Sequence, residues 1–241
     1  MTRFVMPLAL GVALAAPVEA LQSGEHQGSP PPTAAAGPTS PGGWREALKH
    51  SLVLATIEHT LRIAVQAETR SELAGPFFSD YIRSLHMPEG WADNNSWLLN
   101  YVGHPIHGAS AGYLWRDAQG RVPSTALGFS ADYWKRIGTS GLWITAYSLQ
   151  FEFGPLSEAS IGNVGMDPGH RGWVDHVITP LGGMGLMVAE DAVDKHFLRS
   201  FESRVSNHAL RATFRILFNP GRSLANLAQG NVPWRRVDRL P

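Results

Sequence analysis

Residues 94–115 hold no Asp, Glu, Lys or Arg, yet inside that stretch lies His104-Pro105-Ile106-His107-Gly108. An uncharged run of this length is apolar enough to be buried. A buried polar side chain without a hydrogen-bond partner costs free energy, so the two imidazoles need partners from elsewhere in the chain. Two other apolar stretches each carry one carboxylate: Glu152 in GLWITAYSLQFEFG and Asp175 in GWVDHVITPLGG. Whatever the protein does is expected near these residues.

The first 20 residues read as a secretory signal. Arg3 supplies a single-charge amino-terminal region. Phe4–Ala16 is an apolar run well short of the roughly 20 residues that a spanning helix needs. Val18-Glu19-Ala20 sets small residues where a signal peptidase reads, so cleavage is expected after Ala20; an uncleaved N-terminal anchor is the alternative. The chain has no cysteine. That excludes disulfides and a lipid-modified N-terminal cysteine, so any membrane attachment comes from the fold itself. Residues 21–43 are almost entirely Gly, Ser, Pro, Thr and Ala and read as a flexible tether. Such a segment cannot bury enough apolar surface to offset its ordering entropy.

The remainder has room for one domain with a sizeable core. Charged residues are 17 % of the chain against a usual ~25 %, which fits extensive buried or membrane-facing surface. Net charge is zero, so the chain as a whole is no nucleic-acid binder.

The pattern predicts a mainly α fold, a compact, membrane-associated bundle of four to six helices, several Gly-rich or Pro-kinked. Residues 44–199 make up the domain, and 200–241 a helical extension. Leu48, Leu52, Leu54, Ile57, Leu61 and Val65 recur at helical spacing, and Glu58 and Arg62 can pair one turn apart. A short helix is expected from Asp80 to Leu85. A long one runs from a cap at Asn94 or Asn95 to Trp115, kinked or divided at Pro105. Gly108, Ala109, Ser110, Ala111 and Gly112 give it a small-residue face that admits another backbone. A third helix spans Gly141 to Phe153, with Gly154 as a left-handed cap before Pro155. A fourth starts at a Thr179 cap with Pro180 in its first turn and runs to Arg199, and Asn219-Pro220 opens a last one through Leu227. Strands find little support. Asp191 and Lys195 are expected as an exposed pair, and Asp167–Arg171 as a polar turn suited to a lid.

From Arg199 onward there are eight arginines, no lysine and two acids. Within this part Leu210, Phe214, Leu217 and Phe218 share a helical face with Arg211 and Arg215 off it. Such a helix can lie on an anionic bilayer or pack on the core with its arginines solvated.

Asn100-Tyr101-Val102-Gly103-His104-Pro105 with Gly108, Ser148-Leu149-Gln150-Phe151-Glu152, Ser157-Glu158-Ala159-Ser160-Ile161-Gly162-Asn163, and Asp175 followed by Ile178-Thr179-Pro180 and Gly182-Gly183 come in this order. Together, over residues 93–195, they resemble a bacterial envelope family catalogued as domain of unknown function 3943. The family has no established activity to carry over. A looser similarity is to VanZ-like and YfiM-like envelope proteins, which present a His, a Glu and an Asp on successive apolar helices. This chain lacks their Asp-Lys pair before the His and their lipoprotein cysteine. The resemblance implies an exported protein of the periplasm or cell envelope, in contact with membrane lipid or an envelope component.

Three readings of the polar residues stay open. In the first they form a mainly structural network, with His104 and Glu152 neutralising each other and Ser148 and Thr179 one turn from the two carboxylates. In the second they form an active site of an envelope hydrolase acting on a lipid or cell-wall component. His104, Glu152 and Asp175 would then be general base, orienting group and acid, or His104, His107 and a carboxylate would hold a metal such as zinc. Ser148 as nucleophile lacks the flanking glycines of a nucleophile elbow. In the third the protein is an assembly component whose tryptophans, among them Trp91, Trp97, Trp115, Trp134, Trp143 and Trp173, meet lipid or a partner. Metal, cofactor and oligomeric state are left open.

Overall fold

Pro105 sits where an uninterrupted helix would need its missing N–H, and the chain answers with a change of winding. In the computed structural model, which describes residues 43–85, 88–93, 95–120, 127–162 and 172–236, one wide π-helical turn covers Leu99–Gly103. The His104 N–H reaches back to the Leu99 carbonyl, and α4 (His104–Ala118) follows with Pro105 in its first turn, where no N–H is missed. The expected break is therefore a π turn. The cap is also not an asparagine: Ser96 Oγ accepts the Leu99 N–H at 3.2 Å, while Asn95 turns to Asp93.

The described residues form a mainly α bundle with no strand and one isolated parallel bridge, Gly90 to Gly172. Before α4 come α1 (Gly43–Val65), α2 (Ala67–Glu72) and α3 (Phe77–Ser84). After it come α5 (Ala131–Phe153), α6 (Glu158–Gly162), α7 (Trp173–Val193), a π turn at Asp194–Leu198, α8 (Arg199–Arg204), α9 (His208–Phe218) and α10 (Pro220–Ala228). The excess over the expected four to six helices lies in short pieces: α2, α3, α6 and α8 have six, eight, five and six residues. No helix among the described residues is long and apolar enough to cross a membrane. The expected signal, the tether up to residue 42 and the Asp167–Arg171 lid lie outside the described residues, while Gly43, expected as the end of the tether, opens α1.

Helix α4 is central, packed against α1, α5, α7 and α10. Its small residues make this possible, since every residue from Gly108 to Leu114 is buried. A Cβ on Gly108 would lie 2.2 Å from the Thr179 carbonyl oxygen, and one on Gly183 2.8 Å from the Gly108 carbonyl carbon. Leu54, Leu114, Tyr113, Tyr133, Ile144 and Met187 complete the core around this contact.

Several expected boundaries move. Helix α5 begins ten residues before Gly141, because Ser130 Oγ caps it by accepting the Tyr133 N–H at 3.2 Å. Gly154 has φ −73°, so it ends α5 in extended rather than left-handed backbone. Helix α7 begins at Trp173 and carries Pro180 in its interior, so Thr179 is no cap. Asp175 instead occupies the first turn, where the helix dipole favours an acid. Asp191 is buried, accepts Arg116 through two hydrogen bonds of 2.7 and 3.1 Å and takes a third from Tyr133 at 3.1 Å, while Lys195 donates to the Leu127 carbonyl. The expected surface pair Asp191–Lys195 therefore does not form.

The arginine-rich end is bound into the bundle. Glu190 of α7 accepts the N–H groups of Gly221 and Arg222 at 2.7 and 3.1 Å, supplying from another helix the cap of α10. Arg222 pairs with Asp117 at 2.6 Å and stacks 3.8 Å over the Tyr113 ring. Arg215 and Arg236 both reach Glu202, and Arg236 also reaches Asp194. Phe214 and Phe218 join Phe197 and Phe201 in a ring cluster, while Leu210 and Leu217 stay exposed.

Candidate functional site

Three helices each deliver one group to the same place. The π turn sets His104 at the start of α4, the last turn of α5 presents Glu152, and the first turn of α7 presents Asp175. One ligand-type atom from each lies within 4.8 Å of the other two. His104 Nε2 stands 3.1 Å from Asp175 Oδ1. The second ring nitrogen, Nδ1, is 2.9 Å from Thr179 Oγ1, so Thr179 orients the imidazole one turn along α7 from Asp175. The expected His104–Glu152 pairing is thus replaced by His104 with Asp175 and Thr179.

The bridge at Gly90 brings in a fourth group. The N–H groups of Trp173 and Val174 donate to the carbonyls of Gly90 and Trp91 at 2.8 and 3.0 Å, laying residues 90–93 across the start of α7. A Cβ on Gly172 would fall 2.5 Å from the Ala92 carbonyl carbon, so only glycine allows this approach. Asp93 is thereby buried beside Asp175 and hydrogen-bonds it, while Asn95 and Asn100 donate to its carboxylate, Asn100 Nδ2 at 2.6 Å.

His107 goes elsewhere. Its Nδ1 is 3.0 Å from Glu58 Oε1, and Tyr147 donates to Glu58 Oε2 at 2.8 Å. The ring packs on Tyr147 and Phe151. Glu58 therefore does not pair with Arg62, which reaches across to Glu158 of α6. Ser148 is buried one turn before Glu152, and its Oγ has no hydrogen-bond partner among the described residues.

Electrostatics load this centre with protons. Burial drives the His104 imidazole down to about 3, helped by the nearby His107 and opposed by Asp93. Burial raises Asp175 to about 9, reinforced by the hydrogen bond to Asp93 and its charge. Glu152 is held well above the usual carboxylate range by burial, then by Glu158 and Asp175, with Arg62 opposing. Burial opposes ionisation of Asp93 too, but its bonds to Asp175, Asn100 and Asn95 prevail and hold it below the usual range. Near neutral pH the imidazole is neutral and Asp175 keeps its proton, while Glu152 is shifted towards its protonated form.

Asp93, Glu58 and Tyr147 were not anticipated from the sequence. Asp93 carried a signal, being the last carboxylate before the charge-free stretch. Glu58 carried none, because a single acid on an amphipathic helix reads as solvated.

No family model matches this chain, and neither a curated protein nor a solved structure matches it.

Proposed function

We propose that this chain is an exported, membrane-associated cell-envelope protein whose His104/Glu152/Asp175 centre is a hydrolytic site acting on a lipid or cell-wall component. The observation that carries the reading is the convergence of three chemically competent groups from three helices with buried polar atoms left unsatisfied. A network kept only for stability satisfies its members. Here Asp175 Oδ1 and Ser148 Oγ have no hydrogen-bond partner among the described residues.

The surroundings favour a lipid or lipid-linked substrate. Trp91, Trp97, Leu98, Tyr101 and Val102 are exposed just before His104, and Trp173 is exposed just before Asp175. Trp91 Nε1 donates to Tyr101 Oη at 3.1 Å, and the Trp97 and Tyr101 rings lie 5.7 Å apart. Aromatic groups with a polar edge are at home where headgroups meet hydrocarbon. The motif resemblance to an envelope family points to the same setting.

The test uses the purified full chain, with and without added zinc or manganese, incubated with anionic phospholipid vesicles and with peptidoglycan. Released fatty acid, headgroup phosphate and soluble muropeptide are measured. One substrate is turned over, and Glu152→Gln lowers the rate at least a hundredfold with the melting temperature retained. A folded, metal-supplemented wild type that releases none of these products sinks the hydrolase reading.

A further inference from the structure

We propose that His104 Nε2, a carboxylate oxygen of Glu152 and Asp175 Oδ1 are three ligands for one divalent transition-metal ion, zinc foremost, with the remaining coordination position open. This deepens the hydrolytic reading and rests on it for biological purpose, but the binding is testable without turnover.

Geometry comes first. Zinc bonds of about 2.1 Å in a tetrahedron put ligand atoms roughly 3.4 Å apart. The His104–Asp175 edge is 3.1 Å, and all three ligand atoms lie within 4.8 Å of one another.

The second observation concerns Asp175. Its residue is only 6 % exposed, and Oδ1, though 3.1 Å from His104 Nε2, is not aligned for a hydrogen bond and has no hydrogen-bond partner among the described residues. With Nδ1–H donating to Thr179 Oγ1, His104 Nε2 carries a lone pair that does not point along the 3.1 Å line to that oxygen. A buried lone pair and a carboxylate oxygen this close but not facing each other are what a cation beside the line between them satisfies.

The outer groups also fit. A metal-binding imidazole characteristically donates its other N–H to a fixed acceptor, the place Thr179 takes here. One imidazole with two carboxylates is a mixed N,O set that suits zinc, with manganese the harder alternative. His107 is not a ligand, because Glu58 holds its Nδ1 and Tyr147 and Phe151 pack its ring. His104 and Glu152 each keep some solvent exposure.

The experiment titrates zinc, and separately manganese, into the tag-free full chain by calorimetry, with cobalt(II) absorption as the spectroscopic probe. One zinc binds per chain at micromolar affinity or tighter. Asp175→Asn and Glu152→Gln each weaken it at least tenfold, Thr179→Val weakens it about tenfold, and His107→Gln stays within threefold of wild type. Circular dichroism verifies that the variants fold; Asn and Gln keep the shape of the side chains they replace. Less than one zinc per wild-type chain, or zinc affinity unchanged in both carboxylate variants, overturns the site. Turnover that persists in chelator overturns it while sparing the hydrolase. Stoichiometric zinc without turnover does the reverse.

Discussion

Glu190 shows how one side chain governs a distant segment. It is 1 % exposed and caps α10 from α7 through the N–H groups of Gly221 and Arg222. Burial raises its carboxyl to about 7, against the pull of those two N–H groups and of Arg222. An unfolded glutamate ionises near pH 4.3. Between that pH and 7 the unfolded chain releases a proton that the folded chain keeps. This contribution to stability is whole below about pH 4.3 and is lost as pH rises through 7, with a slope of at most about 1.4 kcal/mol per unit. In Glu190→Gln, unfolding free energies measured by urea titration from pH 4.5 to 8 lack that part of the slope. Set against wild type the variant gains as pH rises, because its amide carries no buried charge above pH 7, where the wild type has lost this contribution. An unchanged slope would place the proton elsewhere. This cap was invisible in the sequence, where Asn219-Pro220 reads as self-capping and Glu190 as part of an acidic surface with Asp191 and Asp194.

At the scale of elements, the α4–α7 contact positions the site, because Thr179 abuts Gly108 while bonding His104 one turn earlier. Gly108→Ala drives a Cβ to 2.2 Å from backbone that has no room to retreat. Overpacking of this kind costs about 1–3 kcal/mol, or several degrees of melting temperature in a domain of this size. Gly185→Ala in α7 meets nothing within 4 Å and removes helix-weakening glycine, so it holds or raises the melting temperature. Calorimetry of the two variants decides, and equal melting temperatures would refute the close approach. Much of this was legible: the small-residue face of α4, the need of the imidazoles for partners, and the three stretches carrying His104, Glu152 and Asp175 are sequence features. What misled was local signalling. Thr179-Pro180 has the form of a helix start, yet α7 runs through it, because the tertiary contact with α4 holds Thr179 in helical backbone. Likewise Glu58 and Arg62 have the spacing of a helical pair, but each finds a better buried partner on another helix. Periodicity reports which face of an element is buried, not which polar group across the core will meet it.

For the whole molecule, charge and apolar surface are segregated in a way composition alone conceals. From Leu142 to Gln150 the exposed positions of α5 are Leu142, Thr145, Ala146, Leu149 and Gln150, and those of α7 are Trp173, Leu181, Gly185 and Ala189. None is charged, and Leu142 is 74 % and Leu181 59 % exposed. The arginine-rich end, which composition marks as the natural lipid contact, places Arg199, Arg215, Arg222 and Arg236 in ion pairs with acids of the same chain. Membrane association of this protein, as proposed, therefore draws on apolar burial more than on counter-charge. Each leucine inserted at an interface contributes about 1 kcal/mol, a fraction of the value for full burial. Leu142→Gln, Leu149→Gln and Leu181→Gln together thus lower vesicle partitioning by roughly a hundredfold, since about 1.4 kcal/mol is a factor of ten. In wild type, raising salt from 50 to 500 mM at one vesicle composition changes partitioning less than threefold, because screening weakens exposed charge attraction and leaves apolar burial in place. Sedimentation with anionic and neutral vesicles measures both. Binding that survives the triple substitution but collapses in salt would return the contact to the arginines.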